Sequence, residues 1–305
     1  MKTSIEMRVE YRRHWLLPCC IALAVTAFAT QARELAEIQK TKELRACIAY
    51  VSSMQGKAEP QGCRDNCTMT GDTPDLVQAF AASLGSEIKV KAVSVGWQEQ
   101  FTNKEGKVVQ EQSYTPELFA SGTCDFYATG LAKNAWRSKK MDFVTVNPSR
   151  LEIVVNQSNK GALQSPSDLK GKSVATYANS AYHSWILDQN KSAYKDSPVQ
   201  MKLVNDENQP MKAVEDGSVD FTILVAEDAL PMAGHQYPHA NVAFPVGPVL
   251  EMGWTFRKED KNLQAAADRF LRGQRDDKNS LLNKQFKALY NMDVGEFSAM
   301  VSKMQ

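Results

Sequence analysis

The feature that most constrains the fold is an alternation of short apolar runs with helical segments, which stops at Asn147-Pro148 and then starts again. Leu44 to Val51 reads as a buried strand, and Ser52 to Thr73, rich in Gly, Pro, Asn and Asp, reads as a loop. Thr73-Pro74 opens a helix in which Leu76, Val77, Phe80, Ala81 and Leu84 recur at helical spacing, and Gly85 ends it. Glu87 to Val95 and Cys124 to Ala128 read as strands, Thr115 to Ala120 as a short helix, and polar Phe101 to Gln110 as an inserted hairpin. Beyond Pro148 come strands at 151–155, 173–177, 201–204 and 219–225, with helices at 181–189 and 210–216. One long helical region, Leu263 to Tyr290, closes the chain. Such alternation predicts α/β architecture with mostly parallel sheet.

The N-terminus sets the expected compartment. Lys2, Arg8, Arg12 and Arg13 precede an apolar run from Trp15 to Ala29, and small residues follow up to Ala32. Basic start, short apolar core and small-residue end describe a secretory signal over 1–32, and Pro18 interrupts the run, which argues against a membrane anchor. Periplasmic export follows. Cys47, Cys63, Cys67 and Cys124 remain after cleavage, an even number in an oxidising compartment, so disulfides are expected, with Cys63 to Cys67 the nearer pair and Cys47 to Cys124 joining two strands. A zinc site is disfavoured because only one close cysteine spacing exists. With 36 Lys+Arg against 35 Asp+Glu there is no basic surplus to neutralise phosphates, so no nucleic-acid partner is expected.

Several runs carry a family likeness. Leu118-Phe119-Ala120-Ser121-Gly122-Thr123-Cys124-Asp125-Phe126 is followed by Gly130, Arg137 and Met141-Asp142-Phe143. Asp168-Leu169-Lys170-Gly171-Lys172-Ser173-Val174 forms a second match, with Gly71, Asp75-Leu76, Gly217-Ser218-Val219-Asp220 and Met252-Gly253-Trp254-Thr255-Phe256 as further ones. From Lys42 to Tyr290 the chain resembles the family 3 (amino-acid type) periplasmic solute-binding proteins, the venus-flytrap receptors of bacterial importers. The resemblance implies a two-lobed, type II periplasmic-binding-protein-like fold. Two hinge crossings would lie near 147–152 and 250–253. Lobe 1 would comprise 33–148 plus 252–305, and lobe 2 would comprise 149–251.

It also implies an interlobe ligand site. Arg137 falls where the family grips a ligand carboxylate, a task suited to a planar guanidinium. Gly130 falls on a backbone contact, and Ser180 on the lobe 2 turn that offers a hydroxyl and helix-start N–H groups. Ala132 replaces the family's hydroxyl residue, and Val225 stands where an acid holds the ligand ammonium, with Glu227 and Asp228 just beyond. Tyr50, Trp97 and Tyr177 end strands and are candidate cleft walls, each as readily core or rim, and Asn134 is a pocket contact or a loop cap.

Catalytic signatures are missing. There is no Gly-x-Ser-x-Gly, Pro166 stands where a P-loop needs its first Gly, and Ser167-x-x-Lys170 lacks a Lys-Thr-Gly partner. His235 and His239 flank Pro238 and do not share a helical face, so no metal, cofactor or enzyme activity is expected. The chain is thus expected to be a monomeric solute-binding protein for a membrane permease. Its rivals are a ligand-responsive partner of a membrane sensor and an accessory of a periplasmic redox enzyme.

Overall fold

The computed structural model describes residues 33–49, 56–60, 62–65, 67–204 and 209–304. The expected signal segment, 1–32, and Tyr50 lie outside the described residues. The chain runs α1 (Leu35–Thr41), β1 (Glu43–Ala49), β2 (Lys57–Glu59), β3 (Thr68–Thr70), α2 (Asp72–Leu84), β4 (Lys89–Val95), α3 (Glu117–Ala120), β5 (Phe126–Ala132), α4 (Ala135–Ser138) and β6 (Asp142–Asn156). It continues with β7 (Ser173–Tyr177), α5 (Ala181–Lys191), β8 (Gln200–Val204), α6 (Gln209–Glu215), β9 (Phe221–Val225), α7 (Ala226–Met232), β10 (Ala240–Phe256), α8 (Lys261–Asp276), α9 (Leu281–Tyr290) and α10 (Val294–Lys303).

One eight-stranded sheet has the order β4-β1-β5-β10-β6-β9-β7-β8. It is mixed rather than mostly parallel. β1 lies parallel to β4 and β5, and β7 parallel to β8 and β9, but β10 is antiparallel to β5 and β6, and β6 to β9. The reason is that β6 and β10 are single long strands running in opposite directions through both halves of the sheet. They are the two crossings of a two-lobed α/β fold. Their pairing is broken where Val246 matches Leu151 and Leu250 matches Ser149, so extra residues of β10 bulge out between the lobes.

Each lobe has its own core. In lobe 1, Phe80 of α2 meets Phe126 at 5.8 Å and Trp254 at 5.5 Å between ring centroids, under α8, α9 and α10. The opposite face carries Phe101, Trp136 and the stacked pair Phe119–Tyr127, 4.0 Å apart. In lobe 2, Ile153, Val155, Phe221 and Ile223 pack on Ile186 and Tyr194, while Val154, Ala175 and Leu224 face Met211, Val214 and Ala229.

Cys47 bonds Cys124 and Cys63 bonds Cys67, the expected pairing. β1 and β5 are neighbours through Cys47 and Tyr127, which brings Cys124 alongside. Among the described residues no helix is long and apolar enough to cross a membrane, and none of their His, Cys, Asp and Glu side chains form a metal-ready group.

Three local expectations change. Residues 57–70 hold a small antiparallel ribbon, β2 with β3. Residues 101–110 form no hairpin, because Asn103 Oδ1 accepts from the N–H groups of Glu105 and Lys107 and closes a compact turn. The long C-terminal helix breaks at 277–280, where Ser280 caps α9 by accepting from Asn283 N.

Gly253 on β10 lies tight against β6: a Cβ there would lie 2.6 Å from the Val144 carbonyl oxygen. Backbone cannot yield as a flexible side chain can. Gly253→Ala is therefore expected to cost about 1–3 kcal/mol through displacement of β6. A denaturant midpoint equal to that of wild type would show that the strands separate freely.

Candidate functional site

The carboxyl ends of β5 and β9 and the start of α5 meet between the lobes. Trp97, Thr129, Gly130, Ala132, Arg137, Tyr177, Ser180, Tyr182 and Asp228 face one cavity there, of about 40 Å³ and partly open to solvent. The structure thus brings together Arg137, Gly130, Ser180, Tyr177, Trp97 and Asp228. Thr129, Tyr182 and Met252 join them; none was a candidate from the sequence, because strand pairing decides which alternate residue of β5 and β10 points to the cleft, and lobe packing decides which face of α5 does.

Arg137 sits on the one-turn helix α4 and is 1% exposed. Nη1 donates to the Ala132 carbonyl at 2.8 Å and Nη2 to the Asn179 carbonyl at 3.0 Å, while Nε has no partner. The rings of Trp97, Phe101 and Trp136 surround its Cζ, with centroids at 5.4, 4.9 and 5.3 Å. Burial lowers its pKa to about 9, partly opposed by Tyr182, so it stays charged at neutral pH. Asp142 pairs not with Arg137 but with Lys258 at 3.2 Å and Lys261 at 2.5 Å.

The other candidates divide by role. Asn134 caps α4, its Oδ1 accepting from Arg137 N at 3.0 Å, and does not line the cavity. Ser180 caps α5: its Oγ accepts from His183 N at 3.0 Å and donates to the Tyr177 carbonyl at 2.7 Å. Its hydroxyl therefore already has both a donor and an acceptor within the protein. Tyr182 Oη accepts from Val225 N at 3.3 Å, and burial followed by Asp228 pushes its phenol far above the usual range. Glu227 turns away from this cavity toward the crossings, where Asn147 Nδ2 donates to Oε1 at 2.5 Å and Ser149 Oγ donates to Oε2. Burial raises its pKa to about 7 against those two hydrogen bonds.

The lobes also hold each other directly at one turn, Ala178-Asn179. Trp97 Nε1 and Gln98 Nε2 donate to the Ala178 carbonyl at 3.0 and 2.6 Å. Asn179 Nδ2 donates to Gln98 Oε1 at 2.7 Å, and Gln110 Nε2 donates to Asn179 Oδ1 at 2.8 Å. With the Arg137 bond this makes five contacts. Asn179 adopts φ of 59°, the left-handed conformation that Asn tolerates, and so aims both its backbone and side-chain oxygens at lobe 1. Gln110 reaches it from residues 102–116. Lys140 Nζ, donating to the carbonyls of Val109, Gln110 and Gln112, fixes that segment across the cleft.

The model of the bacterial extracellular solute-binding proteins, family 3, matches residues 51–288. Among solved structures, an ancestral arginine-binding protein bound to arginine is 21% identical, with a TM-score of 0.65, over 82% of this chain and 98% of that one. An amino-acid ABC transporter substrate-binding protein from Streptococcus pneumoniae bound to L-arginine is 17% identical, with a TM-score of 0.63, over 88% of this chain and all of that one (100%). At such identity the likeness is one of fold. Two curated relatives, each called membrane-bound lytic murein transglycosylase F, come from Desulfosudis oleivorans and Saccharophagus degradans. Both are 24% identical over 67% of this chain, which spans only 40% and 37% of their lengths.

Proposed function

The chain belongs to family 3 of the bacterial extracellular solute-binding proteins, and from that premise we propose that it captures a small amino-acid-like ligand between its lobes for an ABC importer. The lobes are 33–148 with 252–305, and 149–251. One observation carries the ligand class: Arg137 and Asp228, opposite charges from opposite lobes, line a single cavity walled by Trp97 and Tyr177. The Nε–Nη2 edge of a guanidinium takes a carboxylate side-on, and here Nε is buried and without a partner among the described residues while Nη2 holds one carbonyl. A ligand carboxylate takes that edge, and Asp228 faces the ammonium. The reading includes export to the periplasm and no catalysis. The fold of the murein transglycosylase relatives' matched part is carried here as a binding unit.

The five contacts at Ala178-Asn179 favour a second reading, in which the lobes stay closed without ligand and present a fixed surface to a membrane sensor or a redox enzyme. A thermal-shift screen over amino acids, small carboxylates and amines tests both. A ligand at about 100 times its dissociation constant should stabilise by roughly 2.7 kcal/mol. X-ray scattering with that ligand should then show compaction. Binding without any change in dimensions would favour the second reading, and no hit with a zwitterionic ligand would defeat the first.

A further inference from the structure

A second cavity lies behind the crossings, away from Arg137. Its cavity volume is about 80 Å³, partly open to solvent, between the start of α2, the end of α9, the crossings and α7. Leu76, Trp254, Phe286 and Tyr290 make its walls mostly apolar. Two carboxylates reach it, Asp72 from lobe 1 and Glu227 from lobe 2, and among the described residues no Lys, Arg or His lines it. Gly130 and Met252 separate it from the cleft, since they line both cavities.

We infer that this cavity is a second ligand site, which takes an apolar amine: an ammonium head on a small aromatic or branched aliphatic body. Charge and shape both point there. Glu227 is 6% exposed and pairs with no cation among the described residues; its two oxygens are held in place by Asn147 and Ser149. Tyr290 Oη donates to the Glu227 carbonyl oxygen at 3.0 Å, so α9 and α7 already meet at this point. The Tyr290 phenol is pushed up by burial and then by Glu227, Asp228 and Asp72, which marks this as a region of negative potential. Aromatic faces beside carboxylates stabilise a desolvated ammonium, and the apolar walls take the body that carries it. A free carboxylate ligand is repelled by the same groups. The site is independent of the cleft reading, since none of its acids or rings touches Arg137. Because it joins α2 and α9 of lobe 1 to α7 of lobe 2 and to Asn147 and Ser149 on β6, an occupant braces the crossings.

The probe is phenethylammonium, with 2-phenylethanol and 3-phenylpropionate as its neutral and anionic counterparts. Indole-labelled protein reports the location, because Trp254 borders this cavity and Trp97 borders the cleft. The expected result is a saturable shift of the Trp254 indole signal with the amine, at least about tenfold weaker binding of the alcohol, and none of the carboxylate. Glu227→Gln should weaken the amine about tenfold or more and remove its advantage over the alcohol. Leu289→Trp adds bulk at the α9 wall of the cavity without changing the acid and should abolish binding, with a melting curve showing each variant folded. The inference is overturned if Trp254 does not respond at millimolar amine, if Trp97 alone responds, or if amine and alcohol bind equally. A failed amino-acid screen with a responding Trp254 would remove the cleft proposal and leave this one standing.

Discussion

Arg137→Ala is expected to weaken ligand binding by roughly tenfold to a few hundredfold, the loss of one or more charge-assisted hydrogen bonds. Unlike a residue facing an open cleft, it should also lower stability. Its removal takes the donor from the Ala132 and Asn179 carbonyls and leaves a gap among Trp97, Phe101 and Trp136. Each buried polar group left unsatisfied costs about 1–3 kcal/mol, offset in part because an unpaired buried cation no longer has to be desolvated. Arg137→Lys should restore part of the affinity but not the side-on geometry. Calorimetry with the best ligand of the screen, beside melting curves, separates the two roles. Wild-type affinity with a lowered melting temperature would reduce Arg137 to a fastener between the lobes.

Removing the Cys47–Cys124 bond should have the largest effect on stability of any change away from the cleft. The bond spans a separation of 77 residues, and closing so long a loop restricts the unfolded chain by about 4.5 kcal/mol. The Cys63–Cys67 bond spans a separation of 4, and the same relation gives about 2 kcal/mol. Packing adds to the contrast, since Cys47 and Cys124 are both fully buried beside Phe101, Phe119 and Tyr127. Paired Cys→Ser variants compared by denaturant unfolding check this. Equal midpoint losses for the two pairs would show that loop length does not set the effect.

The opposite outcomes at Arg137 and Glu227 show where sequence reasoning stops. Both were legible as charged residues near cleft positions, and neither pattern says which groups they meet. Arg137 follows a strand whose end is recognisable, so its approach to the cleft was readable, but its hold on Asn179 depends on how closely two lobes approach that are covalently continuous at the crossings. Glu227 and Asp228 are neighbours at the start of one helix, where consecutive side chains point about 100° apart. A rotation of that size sends Asp228 into the cleft and Glu227 to Asn147 and Ser149, and nothing local selects it.

What the chain determined by itself was set by contacts near in sequence. Apolar periodicity located the strand at 173–177 and the helix opening at Thr73-Pro74, turn residues placed their ends, and four cysteines behind a signal-like N-terminus implied bonds. The tertiary structure decided the rest. β6 and β10 became antiparallel partners because each must pass through both lobes, which gave a mixed sheet instead of a mostly parallel one. Residues 102–116 became a segment held by Lys140 because a buried ammonium needs acceptors, and the carbonyls of Val109, Gln110 and Gln112 supplied them. In each case the deciding partner lies tens of residues away, and the free energy that selects it comes from burial and polar pairing, which no local pattern encodes.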